Sequence, residues 1–288
     1  RNTPITEPSI LAETVNRLCR LSCAVEGAHP QCANGYDACV QEHSSQGVAR
    51  YSSTPKALGP TDGQGAPLVS SQLLINFLDN HDVPRFLYSA TPRLGADDDE
   101  ITKNRKRDLG HQRLRNALAY LLTIDGIPCI YYGTEQNFSG GPDPSNREDM
   151  WRSGFEREGV TYRYLKTLIK LRKELPALRK GVVTFRWSSD MNSSLSSMNQ
   201  LQGAGLLAFE RSTDEQRILV VINTNDPSDP EVRAKTQNTE GIGMTVGFPV
   251  GSVLVDLLND TGEDRFTVDA ENRVVVDLPP RSSRILIL

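Results

Sequence analysis

The shortages in this chain narrow the field first. Its charges nearly cancel: 32 Lys and Arg stand against 36 Asp and Glu, a net of −4. That balance leaves no electrostatic case for nucleic acid or an anionic membrane surface as a partner. No apolar run approaches membrane-spanning length, so no membrane partner is expected. Residue 1 is Arg rather than Met, and nothing signal-like follows it. The chain therefore reads as a processed product or a piece of something longer. Histidine is scarce, at four in 288 residues, and neither histidine nor cysteine occurs beyond residue 181. The last hundred residues also lack a carboxylate cluster with obvious chemistry, so a packing or accessory role is expected there.

Five cysteines are present. Cys19, Cys23, Cys32 and Cys39 fall within 21 residues, and Cys129 stands alone in an apolar run. A tight cluster of four suggests two local disulfides or a zinc site. The gaps of three, eight and six residues fit common zinc patterns poorly, so disulfides are favoured over zinc and over free thiols, with the pairing open. Sequons at Asn137, Asn192 and Asn259 suit a secreted protein, and an extracellular location is expected.

Residues 1–70 carry few strong signals. Ser9 to Leu21 has a helical look, with Ser9 as N-cap and Leu11, Val15 and Leu18 on one face. Gly27 to Pro67 is rich in Gly, Ser, Pro and Gln and reads as irregular loop, an insertion with local cross-links. The informative stretch is Leu73–Arg85. Leu73 to Leu78 reads as a strand buried on both faces, as in a parallel sheet. It then delivers Asp79, Asn80, His81 and Asp82 in a row before Val83-Pro84 closes the run. Strands of α/β barrels place binding and catalytic groups at this end.

A loop follows to Asp97-Asp98-Asp99-Glu100, a solvated acidic turn without the ligand spacing of a calcium loop. A helix is expected over Lys106 to Thr123, with Leu109, Leu114, Ala117, Leu118, Leu121 and Leu122 as its stripe. Ile127–Tyr132 reads as a second short buried strand, and Gly133–Trp151 as a long loop leaving its C-terminal end. A helix over Thr161–Leu175 ends before Pro176. Strand–helix–strand–helix is a piece of a parallel α/β architecture. From Gly181 the period changes to short β-rich runs: Val182–Trp187, Leu206–Arg211, Ile218–Asn223, Val253–Leu258, Phe266–Asp269, Val274–Leu278 and Ile285–Leu288. These read as an antiparallel β-sandwich over 181–288, after an α/β part over 1–180.

Two runs carry a resemblance. Phe77-Leu78-Asp79-Asn80-His81-Asp82 resembles the seventh-strand motif of the α-amylase family of glycoside hydrolases. Gly126-Ile127-Pro128-Cys129-Ile130-Tyr131-Tyr132-Gly133-Thr134-Glu135-Gln136 resembles their eighth-strand motif. The loop Gly140–Glu148 is most similar to secreted fungal α-amylases. The resemblance is good over about residues 70–180 and only architectural beyond. Two motifs in the right order are far more specific than either alone. It implies the C-terminal strands and helices of a (β/α)8 TIM barrel followed by an antiparallel β-sandwich domain.

By the same resemblance, the reaction is retaining attack on α-1,4-glucans. Such chemistry needs a carboxylate nucleophile, a carboxylic acid and a third group that stabilises an oxocarbenium-like sugar. Asp82 matches the third position, a transition-state stabiliser, and His81 would donate to a hydroxyl of the same sugar. Asp143 and Arg147 would hold the next sugar, with Asn80 and Arg85 as further substrate-binding candidates. Arg85 is as well read as an indirect support or as half of a surface ion pair. Tyr131, Tyr132 and Trp151 are stacking candidates, although aromatics at strand ends more often belong to the core. The family's Arg-x-Asp nucleophile motif and its strand-five Glu have no counterpart here. The chain is thus expected to be a C-terminal portion, inactive alone, whose partner is the N-terminal half of the barrel. Calcium is expected for the complete enzyme with its site mostly outside this chain, and no metal site is expected within it. A transglycosylase, or a non-catalytic amylase-like binding or partner subunit, is the alternative.

Overall fold

The computed structural model describes residues 74–188, 205–226, 233–238, 240–259 and 264–288. The expected N-terminal helix, the loop over 27–67, the four clustered cysteines and Asn192 lie outside the described residues.

The first part is built on one parallel pair. β1 (Ile75–Asn76) runs beside β2 (Ile127–Pro128), with Ile75 opposite Ile127 and Asn76 opposite Pro128. The ladder bonds are Ile127 N–H to Leu74 O and Cys129 N–H to Asn76 O, both 2.7 Å. Both strands are shorter than expected. The expectation of burial on both faces is also corrected: Leu74, Ile75, Phe77 and Ile127 are about half exposed or more. The hydrophobic run reports what such a strand requires, and no described element covers those faces.

Between the strands lie two helices. α1 (Phe86–Ala90) occupies a stretch expected to be loop; Phe86, Leu87 and Ala90 are its buried residues. Five residues are too few for a readable period. α2 (Glu100–Thr123) begins six residues earlier than expected. Its N-cap is Asp99, whose carboxylate accepts the Thr102 amide at 2.7 Å. The acidic turn therefore starts the helix, and Asp98 pairs with Lys106 at 2.5 Å. The first turns of α2 are polar and hold no apolar stripe, which is why the period alone starts too late. Its later turns bury Leu114, Ala117, Leu118, Leu121 and Leu122, with Leu109 only half-buried. α1 lies close against it: a Cβ on Gly110 would sit 2.2 Å from Thr91 Oγ1, so only glycine permits that approach.

After the long loop come α3 (Val160–Glu174) and α4 (Pro176–Lys180). Pro176 ends the first helix as expected and then opens the second at its first turn, where its missing N–H costs nothing.

The second part is a six-stranded antiparallel sheet. It comprises β3 (Val182–Ser188), β4 (Leu206–Ser212), β5 (Arg217–Asn223), β8 (Val253–Asp256), β9 (Arg265–Thr267) and β12 (Ser282–Ile287), in the order β3-β4-β5-β12-β8-β9. Two small pairs lie outside it. β6 (Ala234–Lys235) joins β11 (Asp277–Leu278), and β7 (Met244–Thr245) joins β10 (Arg273–Val274). The run expected as one strand over Val274–Leu278 is thus shared between two pairs. Central strands β4 and β5 are buried on both faces. Leu207, Phe209, Ile218 and Val220 point to a core shared with Leu118, Leu168 and Leu178 of the helices. Leu206, Ala208, Leu219 and Val221 point to a second core with Met244, Phe248 and Val276. Period-2 alternation thus places two apolar layers on one sheet, each side chain worth about 1.5–3 kcal/mol when fully buried.

Two guanidiniums hold the layers: buried Arg211 ties the sheet to the helices, and half-buried Arg172 ties the helices to one another. Arg211, fully buried, donates to Thr123 O and Gly181 O, both at 2.9 Å, and meets Asp125 at 3.3 Å. Arg172 donates to the carbonyls of Leu122, Ile124, Gly126 and Leu178. Burial lowers the Arg211 pKa to about 10, still charged at neutral pH, so these bonds are charge-assisted.

Candidate active site

The polar turn and the long loop meet at the C-terminal ends of the two parallel strands. β1 hands over to Asp79–Asp82 and β2 to the segment ending at Glu148. His81 Nε2 lies 3.2 Å from Asp82 Oδ1, and both side chains are about two-thirds exposed. The Asp82 amide donates to Asn80 Oδ1 at 2.7 Å, which shapes the turn. Across from it, Arg147 Nε pairs with Asp143 Oδ1 at 3.0 Å and reaches His81 O at 3.4 Å. Asp143, Arg147, His81 and Asp82 are therefore gathered on one surface by two loops of different strands.

Two buried side chains and one partly buried carboxylate, none assigned a role from sequence, hold these loops together. Asn146 is fully buried; its Nδ2 donates to His81 O and Val83 O, both at 2.9 Å, and to Asn80 O at 3.4 Å. Glu148 accepts from Ser139 N–H at 3.0 Å and from Arg85 Nε at 3.2 Å. Asp79 is buried and accepts the Phe86 amide at 2.8 Å and the Thr134 hydroxyl at 3.3 Å. Arg85 is the hub. Its Nη1 donates to Tyr132 O at 2.5 Å, its amide donates to Gly140 O at 3.0 Å, and its guanidinium lies 4.0 Å from the Tyr131 ring centre. Gly140 must be glycine, since a Cβ would fall 1.8 Å from Ser145 O.

A comparison with known proteins places this geometry. The chain is 33% identical over 186 residues to "Alpha-amylase 2" of Schwanniomyces occidentalis, covering 65% of this chain and 29% of that protein. It is 31% identical over 198 residues to a "Cyclomaltodextrin glucanotransferase" of Klebsiella oxytoca, covering 64% and 27%. The chain matches one part of the α-amylase family of glycoside hydrolases. It spans less than a third of the length of these two relatives. Solved structures of the family agree. The γ-cyclodextrin glucanotransferase of alkalophilic Bacillus clarkii gives a TM-score of 0.53 at 27% identity, covering 74% of this chain and 26% of its own. An α-amylase of Geobacillus thermoleovorans, solved with acarbose, gives 0.52 at 26%, covering 75% and 39%. No family profile matches. The fold is thus a set of α-amylase-type barrel strands and helices followed by an antiparallel sheet consistent with the sandwich domain.

Within this amylase-type frame, one expected role changes. Arg85 is fully buried, so in this arrangement it touches no sugar and forms no surface ion pair. It belongs to the support beneath the site. A charged residue after an X-Pro turn reads as surface, and nothing in the sequence shows the three aromatic rings that enclose it. Trp151 is 70% exposed and Tyr132 39%, so neither is core, whereas Tyr131 is half-buried under the guanidinium. Neither of two cavities beside the candidate site is lined by Asp82 or His81. Among the described residues no group of three metal-ligating side chains stands together.

Asp79 gives a pH test of this support. Burial raises its carboxyl above the ordinary 3.8, against the Phe86 amide and the Arg85 charge, which lower it. The folded state therefore holds this proton more tightly than the unfolded chain. The contribution to stability is complete below pH 3.8 and is lost as pH rises through the folded value. Asp79→Asn keeps an oxygen for the Phe86 amide but cannot ionise. Between about pH 4 and 7 its urea midpoint is expected to drop less than that of the parent chain. Parallel curves for the two proteins would remove Asp79 as the source.

Proposed function

We propose that this chain supplies the glycone-side wall of a retaining α-glucan hydrolase, the nucleophile and general acid being carried on earlier barrel strands outside it. The observation that supports this most directly is the meeting of His81-Asp82 with Asp143-Arg147 at one end of a parallel pair, in a chain that matches α-amylases and glucanotransferases. In this reading the Asp82 carboxylate accepts hydrogen bonds from the 2- and 3-hydroxyls of the sugar being cleaved. Those bonds strengthen as positive charge grows on the ring, so they lower the barrier rather than only tighten binding. His81 donates to the same sugar. Asp143 and Arg147, already paired with each other, hold the next one. Asn80 acts through the turn that it closes.

Calcium belongs, on this reading, to the part of the enzyme outside this chain. The natural setting is extracellular. The presence of glucanotransferases among the relatives favours one second reading, transfer to a sugar hydroxyl instead of water at the same site. The deciding experiment adds the preceding barrel strands, with Arg-x-Asp and Glu, as a second polypeptide or by fusion. Release of reducing ends from starch is expected, and product analysis separates hydrolysis from transfer. A correctly folded assembly that binds glucan without turning it over would instead identify a non-catalytic partner subunit.

A further inference from the structure

Of the three sequons, Asn137-Phe138-Ser139 is the one whose residues are all described. Asn137 closes the short 3-10 helix Thr134–Gln136 that follows β2, with φ at +60°. Asparagine tolerates this left-handed backbone, which accounts for Asn137 but not for the serine two residues on. Phe138 between them turns inward. Its ring lies against Gly133, where a Cβ would fall 2.1 Å from Phe138 Cδ2, and its centre is 5.4 Å from the Arg85 guanidinium. Asn137 and Ser139 both line an open cavity of about 960 Å³ between α1, the start of α2 and this segment. Acceptor amide and sequon hydroxyl residue thus share one opening.

The Asn137 carboxamide also has a direction. Its Oδ1 is sealed from solvent. Oxygen and nitrogen leave Cγ on opposite sides, so an inward oxygen turns Nδ2 toward the cavity. At the sequon of Asn259 the nitrogen is engaged instead: Nδ2 donates to Asp264 Oδ2 at 2.7 Å, and Asp264 in turn holds Arg284. The cavity beside Asn137 has the volume of a site for a drug-sized ligand, so one sugar ring fits. Tyr88 and Leu94, both exposed, stand in its lining. Such surface is what the apolar face of a sugar covers. The Tyr88 ring rests on the loop that carries Asp143 and Arg147, for a Cβ on Gly141 would lie 2.9 Å from Tyr88 Cε2.

We propose that Asn137 is an N-glycan acceptor and that the first N-acetylglucosamine of its glycan lies in this cavity, over Tyr88 and Leu94. In the transfer, Nδ2 attacks the anomeric carbon of a lipid-pyrophosphate-linked oligosaccharide. The new C–N bond forms as the anomeric C–O bond breaks. The lipid pyrophosphate leaves with the electron pair, and Nδ2 gives up one proton. The inference rests on the extracellular setting proposed above and not on the α-glucan reading.

The test expresses the 288-residue chain in yeast behind a cleavable secretion leader, and collects it from both medium and cells. Peptide-N-glycosidase F converts each glycosylated asparagine to aspartate, which mass spectrometry of tryptic peptides locates. Conversion at Asn137 is expected, and Ser139→Ala, which keeps the asparagine, is expected to abolish it. An unconverted Asn137 in chain that has lost its leader overturns the proposal, whatever Asn192 and Asn259 carry. Conversion at Asn137 in chain that never reaches the medium upholds the site and removes the extracellular setting. Limited trypsin digestion of the folded protein reads the placement. Arg93 lines the same cavity and is exposed, and its cleavage is expected to be roughly tenfold slower with the glycan than in Ser139→Ala. Equal rates would put the sugar outside the cavity and overturn that placement.

Discussion

Asp82→Asn in the assembled enzyme is expected to lower kcat by about 10³-fold and to leave KM within about twofold. The exchange keeps shape and removes one charge. The turn survives it, because the bond that shapes the turn is from the backbone amide of residue 82 to Asn80 Oδ1, at 2.7 Å. The side chain is about two-thirds exposed, so the fold loses little. On the proposed function, what changes is the field at a sugar ring acquiring positive charge. An amide hydrogen-bonds a ground-state hydroxyl nearly as well as a carboxylate does, but it does not answer the developing charge. The loss therefore belongs in the transition state. Steady-state kinetics on soluble starch separates the two cases. A variant with raised KM and unchanged kcat would mean that residue 82 only holds substrate.

Arg85→Met is expected to cost about 3 kcal/mol of stability, the usual consequence of removing one partner from a buried charged network. Methionine fills much of the volume between the rings of Tyr131, Tyr132 and Phe138. It leaves Tyr132 O without its 2.5 Å donor and Glu148 without its cation. A melting point lower by roughly 6–12 °C follows for a chain of this size. Arg85→Lys restores charge but not the fork that bonds Glu148 and Tyr132 together, so it should fall between the two. Calorimetry on the purified chain reads the shift directly, and a melting point unchanged in Arg85→Met would show that the guanidinium is not what joins the loops.

Much of the candidate site was legible because its side chains are contiguous or lie in one loop. His81 and Asp82 are neighbours, and Asp143 and Arg147 are four apart, so reading the motif also reads the cluster. The support beneath them was not. Asn146 gives no sequence signal, since an asparagine between Ser145 and Arg147 is what any surface loop contains. Its importance appears only when two loops from different strands are seen to share it. The same holds for Tyr88, which lies in a helix too short to be recognised. In the second part, short β-rich runs between turn residues located the strands of the large sheet well. Of the small pairs, β10 and β11 were read as one strand and β6 and β7 escaped, because two-residue strands bury too few side chains to leave a pattern. Helix α2 was misplaced at its start for a related reason: its first turns answer to a cap and to charge pairs rather than to a core.

The grip of Arg172 and Arg211 on main-chain carbonyls has a wider meaning for how the polypeptide behaves. Sequence periodicity switches at residue 181, which invites a knife there. Yet Gly181 itself offers its carbonyl to Arg211 from the sheet, while Leu178, three residues earlier, is grasped by Arg172 from α3. Arg211 thus fastens the sheet to the helical layer across the very point where the period changes. A fragment cut at that glycine would carry away a guanidinium from one piece and leave stranded oxygens on the other.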